Sequence, residues 1–207
     1  YEYCRPFSKV GDVVVEEYMN GPEVSVETLT VDGLCHVIQI TDKLTTGAPH
    51  YVEMGHSQPT QFSKEISKKI ADVAKAANKA IGIKNGPSHT EIIVTSEGPK
   101  IVELGARLGG DNITTHLVPL STGVNMVECC INIALGIKPN LDSKWKKGSA
   151  IRYFEQHKGI ITEITGIEEA KQIAGIHQIS IVHGIGEEIG EVTSSGERMG
   201  FVIAQDI

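Results

Sequence analysis

Apolar and polar residues alternate near the start of the chain with the two-residue period of half-buried β-strands. The alternation is clearest in residues 23–31, and a short apolar run at residues 13–18 is a further predicted strand. An Asn-Gly-Pro turn separates the two runs, and an Asp-Gly pair predicts a hairpin into a third strand at residues 34–41. The chain therefore begins with antiparallel strands.

The pattern then changes to a helical period. Residues 42–61 are polar and contain several Gly and Pro residues, so they are a predicted loop, and a loop of this length in a compact domain is usually functional. In residues 62–81 the apolar positions recur at helical spacing, Ser63 can cap the start of the helix, and Gly82 can end it. This is the strongest helix prediction.

A second predicted hairpin carries two acidic residues. Its strands are residues 90–95 and 100–104, and a three-residue loop between them places Glu91 opposite Glu103. Residues paired directly across antiparallel strands share a face, with Cβ atoms about 4.5–5.5 Å apart. Two carboxylates at that distance repel unless a cation lies between them, and Mg²⁺ takes such oxygen ligands. The hairpin predicts a metal site, with a solvated pair on an exposed sheet face as the alternative.

A glycine-rich loop at residues 105–111 follows this hairpin directly. Its glycines, among them Gly109 and Gly110, allow backbone amides to come close to a ligand. Arg107 lies at the strand end, where its guanidinium could hold a phosphate or a carboxylate. The alternative is a surface arginine in an ordinary turn.

Two further segments carry candidate chemistry. The end of the first predicted strand offers backbone groups that could pair with a flat heterocycle, and Glu23 could accept both hydroxyls of a ribose. In the long loop, Glu53 and His56 could bind an ammonium group or move a proton. Solvated charged residues are the alternative in both segments.

The last third of the chain has shorter elements. A buried helix at residues 123–135 precedes a predicted boundary, which divides the chain into residues 1–145 and a small β-rich part, residues 146–207. That part contains one short predicted helix and several short apolar runs separated by glycines; the helix covers residues 167–173 and the runs cover residues 150–154, 160–164, 176–182, 191–193 and 201–204. The predicted fold class is α+β.

Composition excludes some classes of partner. The chain has 207 residues, 40% of them apolar, and a formal charge of −7, which disfavours a nucleic-acid surface. No apolar run reaches the ~18 residues of a membrane span, so we expect no membrane partner. The spacing of the four cysteines matches no metal motif, and we expect reduced thiols in a cytoplasmic protein. Because the first residue is Tyr1 rather than Met, we expect a fragment of a longer polypeptide.

Taken in this order, the segments resemble the C-terminal lobe of the ATP-grasp superfamily of carboxylate–amine ligases. The sequence Ile101-Val-Glu-Leu-Gly-Ala-Arg-Leu-Gly-Gly-Asp111 is especially similar to the L-amino-acid ligases, which make dipeptides through an acyl phosphate. The resemblance spans nearly the whole chain; each motif is loose, but the ordered combination is fairly specific. It implies an antiparallel sheet with helices on one face, followed by a small C-terminal subdomain.

The resemblance also implies roles for individual residues. Arg107 would be the catalytic arginine that stabilises the acyl phosphate, and the implied cofactors are ATP and Mg²⁺, with Mn²⁺ as an alternative ion. Where many ATP-grasp enzymes have Asn two residues after the second metal ligand, this chain has Gly105. The other implied roles are ATP binding by Glu16, Glu17, Tyr18, Met19 and Glu23, substrate binding by Glu53, His56, Gly109 and Gly110, and metal binding by Glu91 and Glu103.

The implied partners are small molecules, namely a carboxylate such as an amino acid and an amine, together with an N-terminal lobe of the same polypeptide that this chain lacks. A homodimer is a further expectation. Two alternatives stay open at this point: other ATP-grasp chemistry, such as that of a carbamoyl-phosphate, carboxylase or purine-pathway enzyme, and a nucleotide-binding fragment without catalytic activity.

Overall fold

The fold is built around one antiparallel sheet of eight strands in a computed structural model that describes residues 1–206. The strand order is β5-β4-β1-β2-β3-β6-β10-β8, and β7 pairs with β9 in a separate ribbon. The strands are β1 (Glu23–Val31), β2 (Leu34–Thr45), β3 (Glu53–Gln58), β4 (Gly86–Thr95), β5 (Gly98–Gly105), β6 (Ser149–Tyr153), β7 (Gly159–Ile160), β8 (Ile176–Ile181), β9 (Glu188–Ile189) and β10 (Gly200–Gln205).

Helix α1 (Lys64–Ala80) covers one face of the sheet. The predicted cap is confirmed, since the Ser63 side chain accepts a hydrogen bond from the backbone N–H of Ile66. Val24 and Val26 of β1 pack in one cluster with Ile70 of α1, and all three are fully buried. Every second residue of β1 points towards this helix. The strand is not half-buried as predicted, because the residues between them are buried as well.

The other face is covered by shorter helices. These are α2 (Val118–Thr122), preceded by the π-helical turn Ile113–Leu117, and α3 (Met126–Ala134). Leu29, which has the opposite parity in β1 to Val26, packs with Leu117 and Met126 in a second core cluster. The class of an antiparallel sheet with few helices is confirmed. The helices cover both faces rather than one, because residues of both parities in β1 are buried.

The C-terminal strands extend the same sheet. Strand β6 pairs with β3, and β10 pairs with both β6 and β8. The short helix α4 (Ile167–Lys171) precedes β8. The division at residue 145 stays a prediction, but the strands on its two sides are hydrogen-bonded to each other.

Three local predictions were wrong. Residues 13–18 form no strand; they are mostly exposed, and β1 begins only at Glu23. The predicted loop at residues 42–61 contains the end of β2 and the whole of β3, whose polar residues pair with β2 and β6. In the C-terminal part, residues 161–164 and 191–193 are outside strands.

The second hairpin has a shorter loop than predicted, but Glu91 and Glu103 still lie opposite each other. Thr95 pairs with Gly98, so the loop has two residues rather than three. A β-bulge between Glu91 and Ile92 then adds one residue to β5, and Glu91 still lies opposite Glu103. The two differences cancel, and the predicted opposition of the carboxylates is confirmed.

Across residues 1–206 we find no single helix that combines the length and the apolar character of a membrane span; the helices Ile113–Thr122 and Met126–Ala134, bent by 108°, pass that test only as a pair.

Candidate functional site

Charged side chains from five strands meet on the face of the sheet that also packs against α2 and α3. Strand register explains this, since directly paired residues share a face. Ser25 of β1 pairs with Glu91 of β4, which pairs with Glu103 of β5. On the other side, Lys43 of β2 pairs with His56 of β3. These strands continue a single polar surface across the sheet.

Lys43 is the centre of this surface. Its side chain is 4% exposed, and its ammonium group lies 2.9 Å from Glu91, 3.4 Å from Glu53 and in hydrogen-bond contact with Glu23. Burial opposes the charge and is the largest single influence, but the hydrogen bonds and the charges of Glu23 and Glu91 outweigh it and raise the pKa of Lys43. Lys43 is therefore a buried cation held by three carboxylates.

His89 forms a second charged contact with Glu91. Its Nδ1 lies 2.6 Å from Glu27 Oε1 and its Nε2 lies 3.4 Å from Glu91 Oε1. Since carboxylates only accept hydrogen bonds, this arrangement suits an imidazolium that donates from both nitrogens. Burial lowers the pKa of His89, but the two carboxylates outweigh it and raise the pKa to about 9.

Glu91 is consequently strongly stabilised as a carboxylate. The hydrogen bond from His89 is the largest influence on its pKa; burial opposes it, and the charge of Lys43 adds to it, so that the pKa falls to about 2. The contacts with Lys43 and His89 both use Oε1 of Glu91. Its second oxygen, Oε2, makes neither of these hydrogen bonds.

A third cluster joins the glycine-rich loop to the C-terminal part. Arg198 donates to both carboxylate oxygens of Asp111 at 2.8 Å and lies 3.7 Å above the centre of the Tyr153 ring. His56 Nε2 lies 3.1 Å from the same carboxylate. Burial raises the pKa of Asp111, but the hydrogen bonds from Arg198 and His56 outweigh it and hold the pKa well below its ordinary value.

The clusters surround one cavity of about 190 Å³. Its lining is almost entirely polar, with a single aliphatic side chain, that of Ile113; the other lining residues are Lys43, Glu53, His56, His89, Glu91, Arg107, Gly110, Asp111 and Ser195. A cavity lined by charged groups of both signs suits a small, charged ligand.

The glycine at position 109 is required by packing. A Cβ atom there would lie 2.7 Å from His89 Nδ1 and 2.8 Å from Glu27 Oε2, whereas a Cβ atom at Gly110 would meet nothing within 4 Å. Gly110 lines the cavity, while Gly109 is buried behind it. The loop therefore brings its backbone against the buried Glu27–His89 pair.

Two models of known protein families match this chain. A family model described as the ATP-grasp domain matches residues 2–115, more than half of the chain. The chain belongs to the ATP-grasp family. A second model, for L-amino acid ligase C-terminal domain 2, matches residues 152–206. The resemblance inferred from the sequence is thereby confirmed.

Among the relatives, the L-arginine-specific L-amino acid ligase of Bacillus subtilis is 26% identical over 186 residues, which cover 88% of this chain and 45% of that protein. Among solved structures, the L-amino acid ligase of Bacillus licheniformis has a TM-score of 0.82 at 26% identity and is matched over 91% of this chain and 50% of that one. Phosphoribosylglycinamide synthetase of Anaerococcus prevotii, at a TM-score of 0.78 and 21% identity, shares the fold over 92% of this chain and 49% of that one.

The ATP-grasp chain spans about half the length of the proteins it matches. The family assignment therefore rests on the matched domain.

The residues expected to hold ATP lie in the segment that leads into β1 and at the first residue of that strand. Glu16, Glu17 and Tyr18 are exposed, and Met19 is half-buried in an extended segment outside the sheet. Glu23 lies at the start of β1 against Lys43. The ATP-binding roles of the first four residues stay predictions, whereas Glu23 is part of the charged surface.

The expected magnesium ligands fit the ion in chemistry. Glu91 and Glu103 are directly opposed on one face, and Glu103 is exposed, with Arg107 3.8 Å away. Within residues 1–206 no group of three or more His, Cys, Asp or Glu side chains could enclose a metal on its own. Mg²⁺ is commonly held by one or two carboxylates together with substrate phosphates, so a pair of this kind is sufficient.

Several functional candidates were missed by the sequence analysis: Glu27, Lys43, His89, Asp111 and Arg198. Lys43 lay in the segment assigned to a loop, so the face on which it points could not be inferred. His89 precedes Glu91 by two residues, and this spacing on one strand was a usable signal, because residues i and i+2 share a face. Asp111 and Arg198 are 87 residues apart, and no local pattern connects them.

Proposed function

We propose that this ATP-grasp chain is the catalytic part of a carboxylate–amine ligase that joins an amino acid to an amine through an acyl phosphate. The observation that carries the proposal is the cavity in which Lys43 and Arg107 lie beside Glu91. Its mixture of fixed cations and carboxylates is suited to neutralising a phosphoryl group while binding a zwitterion. The L-amino acid ligase relatives support amino acids as the substrate class.

Lys43 and Arg107 have different roles in this proposal. Lys43 is buried and fixed by carboxylates, so its charge is preorganised and costs no reorganisation during the reaction. The Arg107 side chain is 56% exposed and donates to the backbone oxygen of Leu108. Its guanidinium at the cavity opening can bind an acyl phosphate through two N–H groups at once.

ATP-grasp ligases in general use ATP with Mg²⁺. Glu91 and Glu103 would hold the ion here, and it would supply neutralisation of the phosphate charge. The low pKa of Glu91 keeps that side chain ionised throughout the neutral range. Mn²⁺ could replace Mg²⁺ at the same oxygen ligands.

Glu53 and Asp111 supply negative charge to the lining of the cavity. They come from β3 and from the glycine-rich loop. We propose that the substrate ammonium group binds near Glu53, whose carboxylate also contacts Lys43. His56 is 2% exposed and bonded to Asp111, so its role is to hold Asp111 rather than to move a proton.

The substrate class is tested by measuring ADP release from the full-length protein with MgATP and each of the twenty amino acids, singly and in pairs. Bicarbonate and a ribosylamine are included, because phosphoribosylglycinamide synthetase has the same fold. Release that depends on an amino acid supports the proposal. Release only with bicarbonate or the ribosylamine contradicts it and assigns one of the other chemistries.

The role of Arg107 is tested with Arg107→Ala. We expect amide formation to slow by about 10²–10³-fold, the usual cost of removing one charge-stabilising donor, while the KM for ATP stays within about twofold. Product is measured by mass spectrometry and ATP use by coupled ADP release. Near-normal turnover would remove Arg107 from the mechanism.

The remaining expectations stand as proposals. They are a cytoplasmic location, a further lobe of the same polypeptide that completes the ATP site, and assembly as a homodimer. Isothermal titration of MgATP against the isolated chain and against the full-length protein tests the second, since a site shared between lobes binds weakly to one of them alone.

A further inference from the structure

One segment of the C-terminal part reaches the cavity. Residues 193–198, here named the wall loop, lie between the β7–β9 ribbon and strand β10 in the chain. Ser195 of this loop lines the cavity, and its hydroxyl donates to Glu53 Oε2 at 3.3 Å. The wall loop is thus the part of the C-terminal region that borders the proposed substrate site.

The wall loop has a fixed internal structure. The Glu197 carboxylate accepts hydrogen bonds from Thr193 N at 2.7 Å, Thr193 Oγ1 at 2.8 Å and Ser194 N at 2.9 Å. Ser194 and Glu197 also form a capping box around the short helical turn Ser195–Glu197. Three charge-assisted hydrogen bonds to one side chain hold the turn in a single conformation.

Arg198 attaches this loop to the rest of the site. Its side chain is 9% exposed and bonds both oxygens of Asp111, the backbone oxygen of Glu53 at 2.9 Å and, through Nε, the backbone oxygen of Ser195. It also stacks on Tyr153 of β6. One guanidinium therefore fixes the glycine-rich loop, strand β3 and the wall loop relative to one another.

We propose that the wall loop is a fixed wall of the substrate pocket, in which Ser195 limits the size of the substrate side chain and Arg198 is a positioning residue. This inference rests on the proposed ligase function. Arg198 acts through Asp111 and the Glu53 main chain, because its own donors are engaged by these groups. The cavity of about 190 Å³ fits a substrate with a small or polar side chain.

The test of Arg198 has a matched control in the same sheet. Arg152 also donates to the main chain, at 2.9 Å from the backbone oxygen of His56. Its neighbour in the strand, Ile151, packs in the core on the face of the sheet that carries the cavity. Because adjacent residues of a strand point to opposite faces, Arg152 lies on the other face. In the full-length protein we expect Arg198→Lys to raise the KM for the amino acid about tenfold and to leave the KM for ATP within twofold. Arg152→Lys should change neither value by more than twofold.

Hydrogen–deuterium exchange gives a second readout that needs no substrate. Arg198→Lys should increase exchange at residues 109–113 and 193–198 together, with no increase in β1 and β2, whereas Arg152→Lys should leave both segments unchanged. Unchanged exchange in residues 109–113 overturns the positioning role. If Arg198→Lys does not fold, Asp111→Asn keeps the side-chain shape and is expected to give the same exchange pattern.

The test of Ser195 compares two substitutions over a panel of amino acids. Ser195→Leu should raise the KM at least tenfold for large side chains and less than twofold for glycine and alanine, while Ser195→Ala should leave the order of preference unchanged. An equal effect of Ser195→Leu on all amino acids, or no effect, overturns the size limit. If the wild-type protein releases no ADP with any amino acid, the proposed function and the role of Ser195 fail, while the exchange data still decide the role of Arg198.

Discussion

Substitution of Lys43 by Met is the most direct test of the charged surface. Methionine has a similar length but no charge, so the change leaves Glu23, Glu53 and Glu91 together without their common cation. The side chains of these three residues are 23%, 28% and 20% exposed. Their mutual repulsion is therefore only partly relieved by water.

The magnitude follows from these exposures. Removal of one partner of a fully buried ion pair costs about 3–5 kcal/mol of folding free energy. Because the carboxylates here keep some contact with water, we expect a smaller loss than for a fully buried pair, about 2–3 kcal/mol. For a chain of this size that loss corresponds to a decrease in Tm of about 5–10 °C.

The assay is thermal unfolding followed by circular dichroism at pH 7, with Lys68→Met as the control. Lys68 also pairs with a carboxylate, that of Asp72, at 2.7 Å, but its side chain is 77% exposed. An exposed i,i+4 pair on a helix contributes about 0.3–0.5 kcal/mol, so the control should lower the Tm by no more than about 2 °C. The contrast between the two lysines isolates the effect of burial.

The pH dependence decides between charge and packing. The folded-state pKa of Glu91 is lowered from 4.5 to about 2, so its ionised form stabilises the fold above pH 4.5 and this stability is lost as the pH falls towards 2. The difference in stability between wild type and Lys43→Met should therefore shrink over that interval. A difference that is independent of pH, or an unchanged Tm at pH 7, would refute the electrostatic account.

Two further predictions concern the buried pair behind the cavity. His89→Gln should lower the free energy of unfolding by about 2 kcal/mol at pH 6, and this loss should disappear as the pH rises through about 9. The raised pKa of His89 stabilises the fold below pH 6.5, and that stability is lost when the imidazolium deprotonates. Urea unfolding at pH 6 and 9.5 measures both values, and equal losses at the two pH values would contradict a charged His89. Gly109→Ala should lower the free energy of unfolding by about 1–3 kcal/mol, because its Cβ atom would lie too close to His89 and Glu27. In the same urea assay Gly110→Ala should change the free energy of unfolding by less than about 0.5 kcal/mol. Equal effects of the two substitutions would contradict the packing argument.

Much of the local structure could be predicted because it depends on neighbours in the sequence. The helical period and the Ser63 cap located α1 to within two residues at its start, since a side-chain cap acts over three residues. The alternation in β1 identified a strand with two differing faces. The opposition of Glu91 and Glu103 was predicted correctly although the loop length was not, because a bulge compensated for the shorter turn.

The composition of the cavity required the tertiary structure. Lys43 acquires its three carboxylate partners only when β2 lies beside β1 and β3 in the sheet. The order of strands is set by hydrogen bonding between strands that are distant in sequence, and no local pattern encodes it. The predicted boundary likewise gave no sign that Arg198 would reach Asp111. The sequence by itself determined most of the elements, the family and the paired acids, because these depend on short-range spacing. Only the folded sheet decided which cations neutralise those acids, because ion pairs depend on distances in space.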